Sequence, residues 1–247
     1  LKGRLLPQLN RLKTEYENVA ADCLKCVEET IFLDLNKVLA AVLTREWLSP
    51  ADLTPQCLTG TLLDYNETLV HANDKYYKTL LPQLATRLLV EHLKVLLTRT
   101  LHFSSDFERR TAGEKIVQAS NFLVSFFEEQ LPVSKEICEA YKAIGFIGQF
   151  LITDDRSMLS LDVMNLQRNF PDVRTEQVYS ILMLRGDMKT NEAKEVRSCV
   201  RTSFFTHSHP LPAPEKLPEP VSDEAFQHTA EPVQIRLSES VNIRLKM

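Results

Sequence analysis

Apolar residues recur at intervals of three and four over most of the first 204 positions, the spacing that lines one face of an α-helix. The longest run, Leu12, Tyr16, Val19, Cys23, Val27, Ile31, Leu35, Val38 and Val42, predicts a single amphipathic helix from about Gln8 to Arg45. Trp47-Leu48-Ser49-Pro50 ends it. A second helix is expected from about Pro55 into the low 70s, broken by Asn73-Asp74, and a third over about Tyr76 to Leu101, with Pro82 as an early kink or first-turn residue. Ser105 with Glu108 three residues later is a capping box. It opens a fourth helix through about Gln130, whose buried side reads Phe107, Ile116, Ala119, Phe122, Leu123 and Phe126. Pro132 and Ser134 introduce a fifth, running to about Leu151. Shorter helices follow at about Ser157 to Arg168, Thr175 to Leu184 and Thr190 to Phe204, with Gly186 in the place of a C′ glycine. The prediction is an all-α chain, an elongated stack of antiparallel helical bundles over residues 1–204.

The pattern changes near Phe205. Six of the twelve prolines, from Pro210 to Pro232, lie beyond it, so residues 205–247 are expected to be a flexible Pro-rich tail. Near its end Val233-Gln-Ile-Arg-Leu237 and Val241-Asn-Ile-Arg-Leu245 alternate with period two. That is the pattern of a short hairpin at 233–245, or of a strand added to a partner's sheet edge. Against it stands a connection without glycine, and the competing reading is a disordered end with two accidental copies.

Composition strengthens the helical reading. Only six glycines occur in 247 residues, about a third of the usual ~7%. The net charge of −4 removes the global electrostatic case for nucleic acid as a partner. Five cysteines, an odd number scattered over several elements, do not form a secreted disulfide framework and point to a reducing compartment. No apolar run reaches the ~20 residues that span a bilayer. The start, Leu-Lys-Gly-Arg, with neither an initiator Met nor an apolar signal core, reads as that of a C-terminal fragment of a longer protein.

Catalytic signatures are absent: there is no G-x-S-x-G, H-E-x-x-H, G-x-G-x-x-G or Walker A sequence. The chain is therefore read as a non-enzyme without cofactor. Cys23 and Cys26 have metal-knuckle spacing but lack further ligands, and their place on the apolar stripe of the first helix predicts buried thiols instead. His207 and His209 have no third ligand nearby, so no metal is expected. Gly145 and Gly148, three apart in the fifth helix, mark a close helix crossing. Arg87, Lys94, Arg99, Arg109, Arg110 and Lys115 gather around the junction of the third and fourth helices, diluted by Glu91, Asp106, Glu108 and Glu114. This is either a solvated face or an anionic-partner surface, and in the second case Arg109, Arg110 and Lys115 are the candidate binding residues.

Residues 88–127 carry a more specific signal. A leucine-rich basic segment precedes a helix containing Arg109, Arg110, Glu114, Ile116, Ala119, Leu123 and Phe126, with Asp64-Tyr65 upstream and Ile181-Leu-Met-Leu-Arg-Gly-Asp187 downstream. This pattern resembles the C-terminal region of the exocyst complex component 3 family, which includes tumour necrosis factor alpha-induced protein 2. Gly113 and Gln118 depart from it, standing where that family usually has Ala and an acidic residue. The resemblance covers roughly residues 8–204. It implies a rod of stacked helical bundles that acts in vesicle tethering during exocytosis, cytoplasmic and peripheral at the plasma membrane. Its implied partners are exocyst subunits, SNARE proteins and a small GTPase of the Ral type. The alternative is a peripheral module that binds acidic phosphoinositides and remodels the plasma membrane, its basic cluster meeting the lipid.

Overall fold

The computed structural model describes residues 2–99, 101–131 and 133–198. Among them the chain is all α-helical: α1 (Lys2–Leu39), α2 (Thr54–Leu69), α3 (Asp74–Thr98), α4 (Asp106–Glu129), α5 (Lys135–Ile152), α6 (Leu159–Asn169, preceded by a 3-10 turn at Arg156–Met158), α7 (Thr175–Leu184) and α8 (Thr190–Arg197). The expected boundary near Phe205, the Pro-rich tail, the 233–245 repeat, His207, His209 and Pro132 all lie outside the described residues.

Local chemistry explains most of the boundaries. Pro55 occupies the first turn of α2, where its missing N–H costs nothing. The Asn73 side chain caps α3 by accepting from the Lys75 N–H at 3.0 Å. Ser105 caps α4, accepting from the Glu108 N–H at 3.2 Å. The Glu108 carboxylate reaches back to the Ser104 N–H at 2.6 Å, so the expected box closes one residue earlier than usual. After α7, Gly186 adopts φ +75°, the left-handed region open to glycine.

α4 and α5 form the tightest antiparallel pair, and two glycines let them meet. A Cβ on Gly113 would lie 2.7 Å from the Gly148 carbonyl oxygen, and one on Gly148 would lie 2.6 Å from that of Gly113. The crossing expected at Gly148 is present, and its other half is Gly113, which the sequence marked only as a departure from a family pattern. Around this seam Ile116, Leu123, Phe127, Tyr141, Ile144, Phe150 and Leu151 are buried and join the Leu80–Leu96 face of α3 in one core. The Tyr141 hydroxyl, inside that core, donates to the Ala85 carbonyl at 2.7 Å and ties α5 to α3.

α1 begins six residues earlier than expected and stops at Leu39. A turn segment follows, in which Val42, Leu43 and Trp47 are buried. The expected apolar stripe splits in two. Ile31, Phe32, Leu35 and Leu39 pack against α2 and α3, whereas Leu12, Tyr16 and Val19 are exposed. Cys23 and Cys26 are exposed as well, which corrects the expectation of buried thiols. At 100° per residue Leu12 and Leu35 lie roughly 140° apart around the helix, so a run spaced by three and four over seven turns winds off the core-facing side. Phe107 and Phe122, expected to be buried, are exposed too. Phe107 sits in the first turn of α4, beside the cap.

Two measurements test this packing. Gly113→Ala and Gly148→Ala should each destabilise by ~1–3 kcal/mol through overpacking, despite the helix propensity gained. Gly60→Ala, with nothing within 4 Å of the new Cβ, should stabilise by ~0.5–1 kcal/mol. Urea unfolding that ranks Gly60→Ala with the other two would contradict the crossing. His92 is fully buried and burial pushes its pKa down to about 4. The unfolded chain therefore binds the extra proton first, and stability falls by up to ~3 kcal/mol as the pH drops from the unfolded value near 6.5 towards 4. His92→Leu should flatten the pH dependence in that window, and an unchanged slope would place the histidine outside the core.

Candidate interaction surface

The basic residues at the junction of α3 and α4 each meet a partner within the chain. Arg87 contacts Glu28 at 3.2 Å and lies 4.2 Å over the Phe32 ring. Lys94 pairs with Glu91. Arg99, at the end of α3, donates to the carbonyls of Ala40 (2.6 Å) and Val42 (2.7 Å), supplying donors to the turn segment after α1.

The three candidate binding residues are held in different ways. Arg109 has a side chain only 3% exposed. Its guanidinium donates to the Leu151 and Thr153 carbonyls and to Asp106 and Asp154, and its Nε lies 3.7 Å from Asp187 Oδ2. Lys115 is mostly enclosed, donating to the Trp47 carbonyl at 2.5 Å and the Ser49 carbonyl at 2.6 Å, with Asp52 at 3.5 Å and the Trp47 ring 5.3 Å away. It thereby fixes the segment between α1 and α2. Arg110 is 47% exposed and pairs with Asp154. The three are thus not brought together as one outward patch, because the neighbouring positions 109 and 110 point about 100° apart and the helix buries the first.

Arg185, which the sequence marked only within a resembling run, completes the arrangement. It is fully buried, donates to the Phe150 and Thr153 carbonyls, and grips Asp187 with two bonds of 2.9 and 2.8 Å. The last carbonyls of α5 have no intrahelical partner, and here two guanidinium groups from α4 and the end of α7 supply it, at the negative end of the helix dipole. Asp187 balances them. Burial alone would raise its carboxyl, but Arg185, Arg109 and Arg156 outweigh that and hold it below the usual carboxylate range. Its contribution is therefore complete above the unfolded value of ~3.9 and is lost as the pH falls through the lowered folded value. The signal that exposes this role is a lone Arg closing the apolar run Ile181–Leu184, followed by Gly-Asp.

A concavity between α3, α5, α6 and α7 is lined by Leu93, Leu97, Ile147, Leu166, Val173 and Ile181 among others. Among the described residues no group of three or more His, Cys, Asp or Glu side chains is placed to hold a metal ion. No described helix is long and apolar enough to cross a membrane.

The sequence that builds this all-α stack, cross-braced by buried arginines, matches a known family. The model of the exocyst complex component Sec6 family aligns with residues 2–190. The chain belongs to the Sec6 family. Exocyst complex component 3 of Caenorhabditis elegans is 26% identical over 205 residues, covering 79% of the chain and 25% of that protein. Exocyst complex component 3 of Drosophila melanogaster is 21% identical, covering 75% and 25%. Mouse tumor necrosis factor alpha-induced protein 2 is 18% identical, covering 83% and 29%. The crystal structure of M-Sec has the same fold, with a TM-score of 0.66 at 18% identity, covering 83% of this chain and 34% of that one. The chain thus spans about a quarter of the length of these curated relatives.

The buried arginines give this Sec6-family chain a clear mutational signature. Arg109→Met should cost ~3–5 kcal/mol by orphaning the carboxylates and carbonyls it serves. Lys115→Met should cost ~1–3 kcal/mol through the lost carbonyl partners, and Arg110→Met no more than ~0.5 kcal/mol. Urea denaturation that finds Arg109 as dispensable as Arg110 would contradict the assignment.

Proposed function

We propose that this chain is a non-enzymatic tethering segment of an exocyst-type assembly, holding partners through exposed helix faces. The observation that carries this reading is the Sec6-family match over residues 2–190. A stack of helices whose charged interior groups are engaged in bracing suits a scaffold, since a scaffold works through its surface. The partners we assign are other exocyst subunits, with SNARE proteins and a Ral-type small GTPase as the regulated contacts, at the cytoplasmic side of the plasma membrane. Of the three basic candidates, Arg110 is the one an anionic partner would meet at the surface, while Arg109 and Lys115 position the elements beneath it. The phosphoinositide-binding alternative needs Arg109, Arg110 and Lys115 together on one outward surface, and of these Arg110 alone is well exposed, so it is not the reading adopted.

Affinity purification of the tagged full-length protein from its own cells tests this directly. The other exocyst subunits should co-purify in near-stoichiometric amounts and survive a moderate salt wash. A stable, abundant protein that brings down none of them would remove it from the complex.

A further inference from the structure

Twelve prolines occur in the chain, and a hydroxyl residue precedes two of them: Ser49-Pro50 and Thr54-Pro55. Both pairs fall in the connection between α1 and α2, at the end of the 38-residue helix α1 opposite Lys2, ~57 Å along its axis at 1.5 Å per residue. Proline is the residue without a backbone N–H. A protein kinase whose site offers no acceptor just after the target serine or threonine therefore selects proline there, because any other residue would leave its N–H unpaired. The sequence offers such a kinase two acceptors five residues apart, and the structure treats them in opposite ways.

Ser49, Pro50 and Ala51 are exposed in a run of turns. The Ser49 Oγ accepts from the Ala51 N–H at 3.2 Å, and the residue lines an open concavity with Glu46, Trp47, Ala51, Asp52 and Leu53 among others. Drawing this stretch into an extended substrate groove breaks two turn bonds, from the Ser49 N–H to the Glu46 carbonyl (3.0 Å) and from the Asp52 N–H to the Ser49 carbonyl (3.2 Å), and leaves α1 and α2 wound. Thr54, by contrast, is only 6% exposed and is the first residue of α2. Its hydroxyl donates to Asp52 Oδ1 at 2.5 Å and its N–H to the same atom at 3.3 Å. Presenting it to an enzyme means unwinding the start of the helix.

We propose that Ser49 is a phosphorylation site for a proline-directed serine/threonine kinase, that Thr54 is not, and that Lys115 receives the phosphate. In the transfer the Ser49 Oγ bonds to the γ-phosphorus of ATP, the bond from that phosphorus to its bridging oxygen breaks, ADP departs, and the hydroxyl proton passes to the carboxylate base of the kinase. The product carries close to two negative charges at neutral pH. Lys115 already donates to the carbonyl of Ser49 itself at 2.6 Å and to that of Trp47 at 2.5 Å, and its ammonium sits on a flexible stem. A phosphate on the same serine comes within its reach and is a stronger, charge-assisted acceptor than either carbonyl. Asp52, 3.5 Å from the ammonium, is the competing carboxylate. Phosphorylation thus adds to the brace that ties α4 to the α1–α2 connection. The proposal rests on this connection and not on the tethering reading, so either can fail alone.

The full-length protein, treated with ATP and an activated mitogen-activated protein kinase, should gain a phosphate that peptide mapping by mass spectrometry places on Ser49 and not on Thr54. A synthetic peptide of residues 44–60, in which no fold holds either hydroxyl, should accept phosphate on both. Ser49→Ala, at an exposed position, should remove the modification from the protein and leave its melting temperature nearly unchanged. A protein modified on Thr54, or one left unmodified on Ser49, overturns the proposal, as does a peptide that the kinase leaves untouched. The Lys115 contact is read separately by phosphorus NMR. The Ser49 phosphate in the folded protein should titrate below the ~6 of the same group in the peptide, because a nearby ammonium favours the dianion. A value at or above that of the peptide would show Asp52 and Glu46 outweighing Lys115, and overturns that part of the assignment.

Discussion

The carbonyl groups at the C-terminal end of α5 are the constraint around which the described residues are arranged. A helix end buried in protein leaves polar groups that must find donors, at ~1–3 kcal/mol for each one orphaned. Here the donors are Arg109 and Arg185, both buried, one from the first turn of α4 and one from the end of α7. Both reach the Thr153 carbonyl, and Asp187 compensates their charge. Three helices, the consecutive α4 and α5 and the later α7, are held at one corner by these buried groups. The Gly113–Gly148 contact further along brings the α4 and α5 backbones close enough for Arg109 to reach that end.

The same device recurs on a smaller scale. Arg99 supplies donors to the carbonyls after α1, and Lys115 to those before α2. Part of the cluster of positive charge in the sequence thus becomes a set of braces on backbone oxygens, Arg99 and Lys115 on the connection between α1 and α2 and Arg109 on the end of α5. This is why the basic residues gather where α3 and α4 meet without making a patch.

Helix existence and type were legible because the three-and-four spacing is strong, breakers are few, and Ser105, Asn73, Pro55 and Gly186 punctuate it with ordinary capping chemistry. Gly148 was legible as a crossing point, but Gly113 was not, because its reason lies in another helix. Arg109 and Arg110 look alike in sequence, and only the rotation of α4 decides which is buried. Cys23 and Cys26 were misjudged for a related reason: the apolar run through them serves two faces of α1, and spacing alone does not say which face the core takes. Arg185 was hidden in a run that matched a family pattern, although an arginine beside four apolar residues and a Gly-Asp turn is itself a sign of a buried brace.

If the α5 terminus organises its surroundings, Arg109 and Arg185 must act as one unit. A double-mutant cycle with Arg109→Met and Arg185→Met, read by urea unfolding, measures that directly. The account predicts strong non-additivity, an interaction energy of ~1–3 kcal/mol, because the two share the Thr153 carbonyl and Asp187. Losses that simply add, to within ~0.5 kcal/mol, would show two independent side chains and contradict the claim.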